Sequence, residues 1–600
     1  MRTVLLALGL AGASALLPAL AWARDEPAPN GALAAALERE FQYRLDEFPE
    51  LATQLGIAGH DDRLTDRSPE AVARRRQHVR DYQRELERFD ARGLDAQDRI
   101  SLEMELERAR HAQAFARFYG ELPVDGDIGA WEPVSPMHGP QFQLAALAKG
   151  TRFRNVDDYE SYLKRLAAVP RAMEQLTQQM KAAMAAGWMP PAQAMTKVVA
   201  QFAPFADGPL EATPVGAPFT HFPDGVPASE RERLAQAGAR VLREEVQPAY
   251  ARMRDFLAKT YVPAARDSLA ASSLPAGEPF YALLVEASTT THLKPREIHD
   301  IGLREVARIR AEMEKAKAAS GFEATMPEFL QFLKTDPRFF FKTADDRLRA
   351  YRDIAKRADA ELPKLFAVLP RLPYGVRAME AYEGDNADHY TPGALDGSRA
   401  GFFEANVNHL EARPSHEMES VLLHEAVPGH HLQTARAQEI EGLPRFRRIA
   451  WYVAYGEGWA LYAESLGYEM GFYKDPYSHF GALTAEMLRA CRLVIDTGIH
   501  SQGWTRERSI RYLVDNAGLH PDFAAAEVDR YIVWPSQALG YKIGQLEIRR
   551  LRDKGQTALG PRFDVRRFHN AVLDDGPLPL TILDERIDAW IAREKEAPAR

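Results

Sequence analysis

The chain has 600 residues, 46% of them hydrophobic, enough to bury a large core in one big domain or two lobes. Its formal net charge of −9 argues against a nucleic-acid partner. The single cysteine, Cys491, excludes an intramolecular disulfide, and its place in the helical-looking segment 486–495 makes it a buried inert thiol rather than a nucleophile.

The N-terminus carries Arg2, an apolar run over residues 4–20, and then Ala21-Trp22-Ala23. A charged start, an apolar centre and a small-x-small site predict a signal peptide over 1–23, cleaved after Ala23. No cysteine near that site would carry a lipid. No later run of about 18 uncharged apolar residues would span a bilayer, so a periplasmic or secreted mature chain is expected.

From residue 31 to about 120 the pattern is helical, with Leu33, Ala36, Leu37, Phe41 and Leu45 spaced by threes and fours. Ser68-Pro69-Glu70 reads as a helix start, with serine as cap and proline in the first turn. Segment 123–140 reads as loop, and 157–188 as a long helix or two. Helical patterns continue over 230–261, 294–317, 325–333 and 343–361, without the 20–50-residue period of a solenoid. After Pro370 the texture changes. Segments 374–382 and 401–408 are strand-like and predict a small sheet, one edge of which would hold an extended peptide by main-chain hydrogen bonds. From 417 onward the chain is helical again, and the whole reads as a mainly α fold.

The chemistry concentrates in Val421-Leu-Leu-His-Glu-Ala-Val-Pro-Gly-His-His-Leu-Gln433. A zinc-protease helix carries H-E-x-x-H, whose histidines share one Zn²⁺ while the glutamate activates a water. Here the fifth position is Pro428, which cannot be a ligand. At about 100° per residue, a regular helix would carry His430 about 120° away from His424, and His431 about 10.5 Å along the axis. Neither would share a metal with His424. Pro428, however, has no N–H to give the carbonyl of His424, so the helix must bulge or break there. Gly429 tolerates unusual backbone angles, and a wide turn would return His430 to His424, with His431 as the alternative.

A catalytic zinc site needs a third ligand, and Tyr455-Gly-Glu-Gly-Trp-Ala-Leu-Tyr-Ala-Glu464 offers Glu457 and Glu464, seven apart on one helical face of an apolar stretch. Such acids need partners. A metal for one and a histidine N–H for the other would supply them. Glu457-Gly-Trp-Ala resembles the Glu-Gly-Phe-Ala run that carries the third ligand in a family of zinc aminopeptidases. Glu457 is therefore the expected ligand, and Glu464 the partner behind it or the alternative. Further on, Asp496 and His500 lie four apart, suited to a carboxylate orienting an imidazole toward the site or the substrate. Tyr531 and Tyr541 flank a Pro535-Ser-Gln-Ala break, and a phenol near the metal would stabilise an oxyanion.

Together, His424-Glu-Ala-Val-Pro-Gly-His-His-Leu-Gln433, Glu457–Glu464, Arg492-Leu-Val-Ile-Asp-Thr-Gly-Ile-His500 and Arg530-Tyr-Ile-Val-Trp-Pro-Ser-Gln-Ala-Leu-Gly-Tyr-Lys-Ile-Gly544 resemble the secreted bacterial family DUF885, a group considered gluzincin-type metallopeptidases. The resemblance implies a mainly α, two-lobed helical shell around a deep catalytic cleft, similar to angiotensin-converting enzyme and carboxypeptidase Taq. Residues 24–290 would form the N-terminal lobe and 291–600 the lobe with the zinc motifs, the small sheet lying next to the zinc-binding helix. Tyr541 would take the oxyanion role that tyrosines play in helical gluzincins. The lengthened H-E-x-x-G-H form of dipeptidyl peptidase III favours His430 over His431.

The expected activity is zinc-dependent hydrolysis of short peptides in the cell envelope, with Zn²⁺ on His424, His430 and Glu457 and with Glu425 as general base. Two other classes stay open: a zinc amidohydrolase acting on non-peptide or cell-wall amides, and an inactive metal-scaffold binding protein. Retention of Glu425 speaks against the last.

Overall fold

The computed structural model describes residues 30–379, 387–395, 397 and 399–597; the expected leader, 1–23, lies outside them. The chain is mainly helical, and the described residues hold one small three-stranded sheet. Gly31–Glu47 buries Leu33, Ala36, Leu37, Phe41 and Leu45, the stripe expected from spacing. Pro69–Leu86 starts as its sequence suggests, with the Ser68 hydroxyl accepting the N–H of Ala71.

Where one periodic stretch would run on, proline decides the outcome. Segment 157–188 forms two helices, Val156–Ala167 and Val169–Ala185, because Pro170 cannot donate to the preceding turn. Segment 230–261 stays helical but widens into π turns at Leu242–Val246 and Leu257–Tyr261, the first just before Pro248.

Apolar side chains gather in three cores. One lies between residues 134 and 261 around Tyr159, Tyr162, Phe202 and Tyr250. A second runs between the helices Pro295–Ala319 and Pro476–Gln502, through Ile309, Met313, Met487 and Ile495. It encloses Cys491, whose thiol burial pushes up and keeps unreactive. The third surrounds the candidate site and ties N-terminal residues such as Phe115 to Leu422, Leu423, Trp459 and Phe568.

One close helix crossing sets the site. The helix Val453–Leu466, which carries both glutamates, lies against Gly540–Leu559, which carries Tyr541. Their backbones nearly touch at Gly458 and Gly544, where a Cβ on Gly544 would fall 1.7 Å from the carbonyl oxygen of Ala454. Only glycine permits this approach.

The sheet has the order β1 (Tyr374–Ala378), β3 (Gly401–Ala405), β2 (His389–Thr391), with β3 parallel to β1 and antiparallel to β2. Of the two strand-like runs, 401–408 cannot supply the peptide-holding edge over its strand Gly401–Ala405. β3 is the central strand and pairs on both sides, Phe403 with Val376 and with Tyr390, so its backbone is not available over this stretch. β1 and β2 are the two edge strands, and β2 faces the His-Glu helix: the Tyr390 N–H donates to the Glu425 carboxylate at 2.9 Å.

Candidate metal centre

The helix Met418–Glu425 stops where Pro428 dictates, and a new helix, His430–Glu439, begins two residues later. Ala426 and Gly429 take backbone angles outside the helical region, and the Trp459 indole donates to the carbonyl of Pro428 at 2.9 Å, fixing the turn. A Cβ on Gly429 would sit 1.9 Å from the His424 carbonyl oxygen, so the turn can be this tight only with glycine. The result brings His430 back beside His424, their rings nearly perpendicular with centroids 4.8 Å apart.

Glu457 completes the group. Its Oε2 lies 3.4 Å from His424 Nε2 and 3.3 Å from His430 Nε2. One donor atom from each of the three residues lies within 4.8 Å of the others. Donors bound at about 2.0–2.1 Å around a tetrahedral ion stand about 3.4 Å apart, so the three residues fit a zinc ion. Side-chain exposures of 4% for His424 and 14% for Glu457 make the carboxylate costly to bury without a cation.

Glu464, two turns on, sits behind His424. It accepts the Nδ1–H of His424 at 2.7 Å and the Ser420 hydroxyl at 2.5 Å, with Arg489 at 3.4 Å. An ionised carboxylate only accepts, so Nδ1 carries a proton, and Nε2, the nitrogen that faces Glu457, is the one left to meet a cation. Glu464 thus lies behind His424, outside the group of three that could hold an ion.

The electrostatics match this layout. Burial alone would lower the pKa of His424, but hydrogen bonds to Glu457 and Glu464 raise it to about 9. Burial would raise Glu457, yet the facing His430 and His424 hold it well below the carboxylate range. Burial raises Glu425, against the opposing pull of His424 and His430. The centre is not sealed: Trp451, 52% exposed, lies 5.8 Å from the His430 ring, centroid to centroid.

Four sequence assignments need correction or refinement. His431 points away from the group; its Nδ1 accepts the Tyr390 hydroxyl and its Nε2 donates to the Leu372 carbonyl, pinning the sheet to the new helix. His500 does not face the site. Its Nδ1 accepts the N–H of Ala271 at 3.0 Å and its Nε2 donates to the carbonyl of Tyr531 at 2.9 Å, so both ring nitrogens are used within the core. Asp496 does not orient it, because that carboxylate accepts the Tyr281 hydroxyl and the Ser536 N–H. Burial raises Asp496 to about 7 and lowers His500 to about 3, so both tend to neutrality. The Tyr531 hydroxyl donates to Glu527 and accepts from Arg492 and is not free to meet an oxyanion.

Tyr541 lies within electrostatic reach of Glu457, whose charge adds to burial in raising the phenol's pKa while Arg530, Arg492 and Gln537 oppose it. The Arg492 guanidinium stacks on its ring, 4.4 Å from the centroid. Sequence reasoning missed Arg492, Arg530 and Glu527, although the first two open the motifs quoted above. Two basic residues a helix apart give no periodic signal that they share one acid. It also missed Tyr390, whose role comes from strand order.

A search of curated proteins returned no match. Among solved structures, the chain is similar to a "putative lipoprotein" from Colwellia psychrerythraea, with 28% identity and a TM-score of 0.87 over 94% of this chain and 99% of that one. It shares its fold with a "putative lipoprotein of unknown function" from Shewanella oneidensis, at 18% identity and a TM-score of 0.71 over 93% of this chain and 99% of that one. The family model for bacterial proteins of unknown function, DUF885, matches residues 49–587. The chain belongs to the DUF885 family.

Proposed function

We propose that the protein is a gluzincin-type zinc peptidase that hydrolyses short peptides outside the cytoplasm. The observation that carries this reading is the convergence of His424, His430 and Glu457, with Glu457 Oε2 at 3.3–3.4 Å from the two histidine nitrogens, and with Glu425 next to His424 in the chain. The carboxylate–histidine pair behind the cluster, Glu464 with His424, adds support, since such pairs fix the tautomer of metal ligands. An extracytoplasmic address accords with the leader-like N-terminus and with the lipoprotein description of the Colwellia relative.

In this reading His424, His430 and Glu457 would hold the ion, which when bound supplies Lewis acidity toward a water and toward the scissile carbonyl. Glu425 takes the proton from the attacking water and returns it to the leaving amine. The Tyr390 N–H holds Glu425 in place until substrate arrives, and the outer edge of β2 is the strand a peptide backbone would follow. Tyr541 donates its hydroxyl to the developing oxyanion, and its raised pKa keeps that proton on at neutral pH. Two lobes around a deep cleft belong to the same proposal and limit substrates to peptides of a few to about 20 residues, the length an extended chain can thread.

The test is a peptide ladder and unfolded casein incubated with the purified protein and read by mass spectrometry. Cleavage confined to short peptides and abolished by a chelator is expected. Rapid internal cutting of casein without preference for short chains would contradict the closed cleft; hydrolysis of amide panels but not of peptides would make the protein an amidohydrolase.

A further inference from the structure

Next to Tyr541 two buried arginines share one acid. Arg492 reaches Glu527 Oε2 through Nε at 3.2 Å and Nη2 at 2.8 Å, and Arg530 Nη2 reaches the same oxygen at 3.3 Å. The Tyr531 hydroxyl donates to that oxygen as well. The side chains are 8% exposed for Arg492, 14% for Arg530 and 12% for Glu527. Burial would raise Glu527, but the two guanidiniums hold it far below the carboxylate range, so it is ionised. One negative charge thus faces two positive ones.

The neighbouring acids do not make up the difference. Asp496 gives its oxygens to Tyr281 and to the Ser536 N–H. Glu457 belongs to the metal cluster. Among the described residues Arg492 Nη1 is buried with no hydrogen-bond partner. A buried surplus cation with an unspent N–H is expensive unless an anion from outside completes it. The arginines also lead toward the metal centre. Arg492 stacks on the Tyr541 ring, and Arg530 donates to Gln537 at 2.6 Å, four residues before Tyr541.

We propose that Arg492 and Arg530, with Tyr541 between them and the metal ligands, form the subsite for the free α-carboxylate of a peptide substrate, so that the enzyme releases short pieces from the C-terminus. Two forked guanidiniums match the two oxygens of a carboxylate, and every unblocked peptide presents one at its end. The inference rests on the peptidase reading and narrows it to one direction of attack.

The experiment measures binding with cleavage switched off. Zinc-loaded Glu425→Gln protein is titrated calorimetrically with a pentapeptide acid, its C-terminal amide, and an amide ending in aspartate. The acid should bind at least roughly tenfold tighter than the plain amide, the scale of one charge-assisted contact. Adding Arg530→Gln, or Arg492→Lys as the gentler change at the more buried position, should bring acid and amide within about twofold, with the thermal melt confirming a folded chain. Equal binding of acid and amide by the parent protein overturns the subsite, as does an acid preference that survives both changes. Full affinity for the aspartyl amide would assign the site to side-chain carboxylates and overturn the α-carboxylate claim. An acid preference in a protein whose Glu425 form never cleaves peptides would leave the subsite standing and remove the peptidase reading. Equal cleavage of free and amidated peptides would do the reverse.

Discussion

Two acid–histidine constellations stand out along the C-terminal half, and the structure treats them in opposite ways. At His424, His430 and Glu457, polar atoms from three helices meet, Glu457 Oε2 facing the two histidine Nε2 atoms at 3.3–3.4 Å. At Asp496 and His500, two residues four apart on one helix turn to different partners, and those partners use both ring nitrogens and both carboxylate oxygens. The first group concentrates its donor atoms on one point. The second spends its hydrogen bonds within the protein, joining the long helix to Ala271, Tyr281 and the 531–536 turn. The comparison teaches that spacing alone does not mark a site. What marks it is donor capacity left over after the fold has satisfied itself.

The largest expected break in the comparison is Glu425→Gln. Turnover of short peptides should fall by at least about 10²-fold while bound zinc stays near the parental level, because the residue moves protons and does not hold the ion. Steady-state kinetics beside elemental analysis checks both halves, and near-normal turnover would remove Glu425 from the reaction.

Next comes Glu464→Gln. Losing the charge behind His424 should weaken zinc affinity by about 10–100-fold without abolishing the site. Competition with a chromophoric chelator reads the change, and unchanged affinity would make the Glu464 contact merely structural.

His500→Gln should have the smallest effect on chemistry, leaving zinc content and KM unchanged, and its signature should be in stability. Burial holds folded His500 near 3, whereas the unfolded chain takes up a proton at that residue below about 6.5. The unfolded state therefore binds more protons in that window, and the His500 contribution to stability is lost as pH falls from about 6.5 toward 3. Each such histidine steepens the acid limb by on the order of 1 kcal/mol per pH unit. Denaturant melts from pH 7 to pH 4 should show a shallower decline in the variant; equal slopes would mean that His500 is not held neutral in the core.

Much of this was legible in the sequence, for identifiable reasons. Helices with a clear apolar stripe, such as Gly31–Glu47, follow from periodicity. The break after Glu425 follows from the missing N–H of Pro428, and the pairing of Glu457 with Glu464 from a seven-residue spacing on an apolar face. Strand order was not legible. The run 401–408 reads as strand-like without saying where in the sheet it lies, and β3 is central because β1 and β2, both upstream in the chain, flank it. Nor do Asp496 and His500 reveal in sequence that Tyr281 and Ala271, more than 200 residues away, will claim them. The arginine pair was hidden for the same reason: the sharing of Glu527 arises between two helices.

The central claim is that the turn at Pro428-Gly429 makes His430, and not His431, the second ligand of one zinc ion. The direct measurement is metal stoichiometry by elemental analysis, on the parent protein and on His430→Ala and His431→Ala after dialysis against a weak chelator. The account predicts one zinc per chain in the parent and in His431→Ala, and little or none in His430→Ala. Tight zinc retained by His430→Ala, or lost on changing His431 alone, would contradict it.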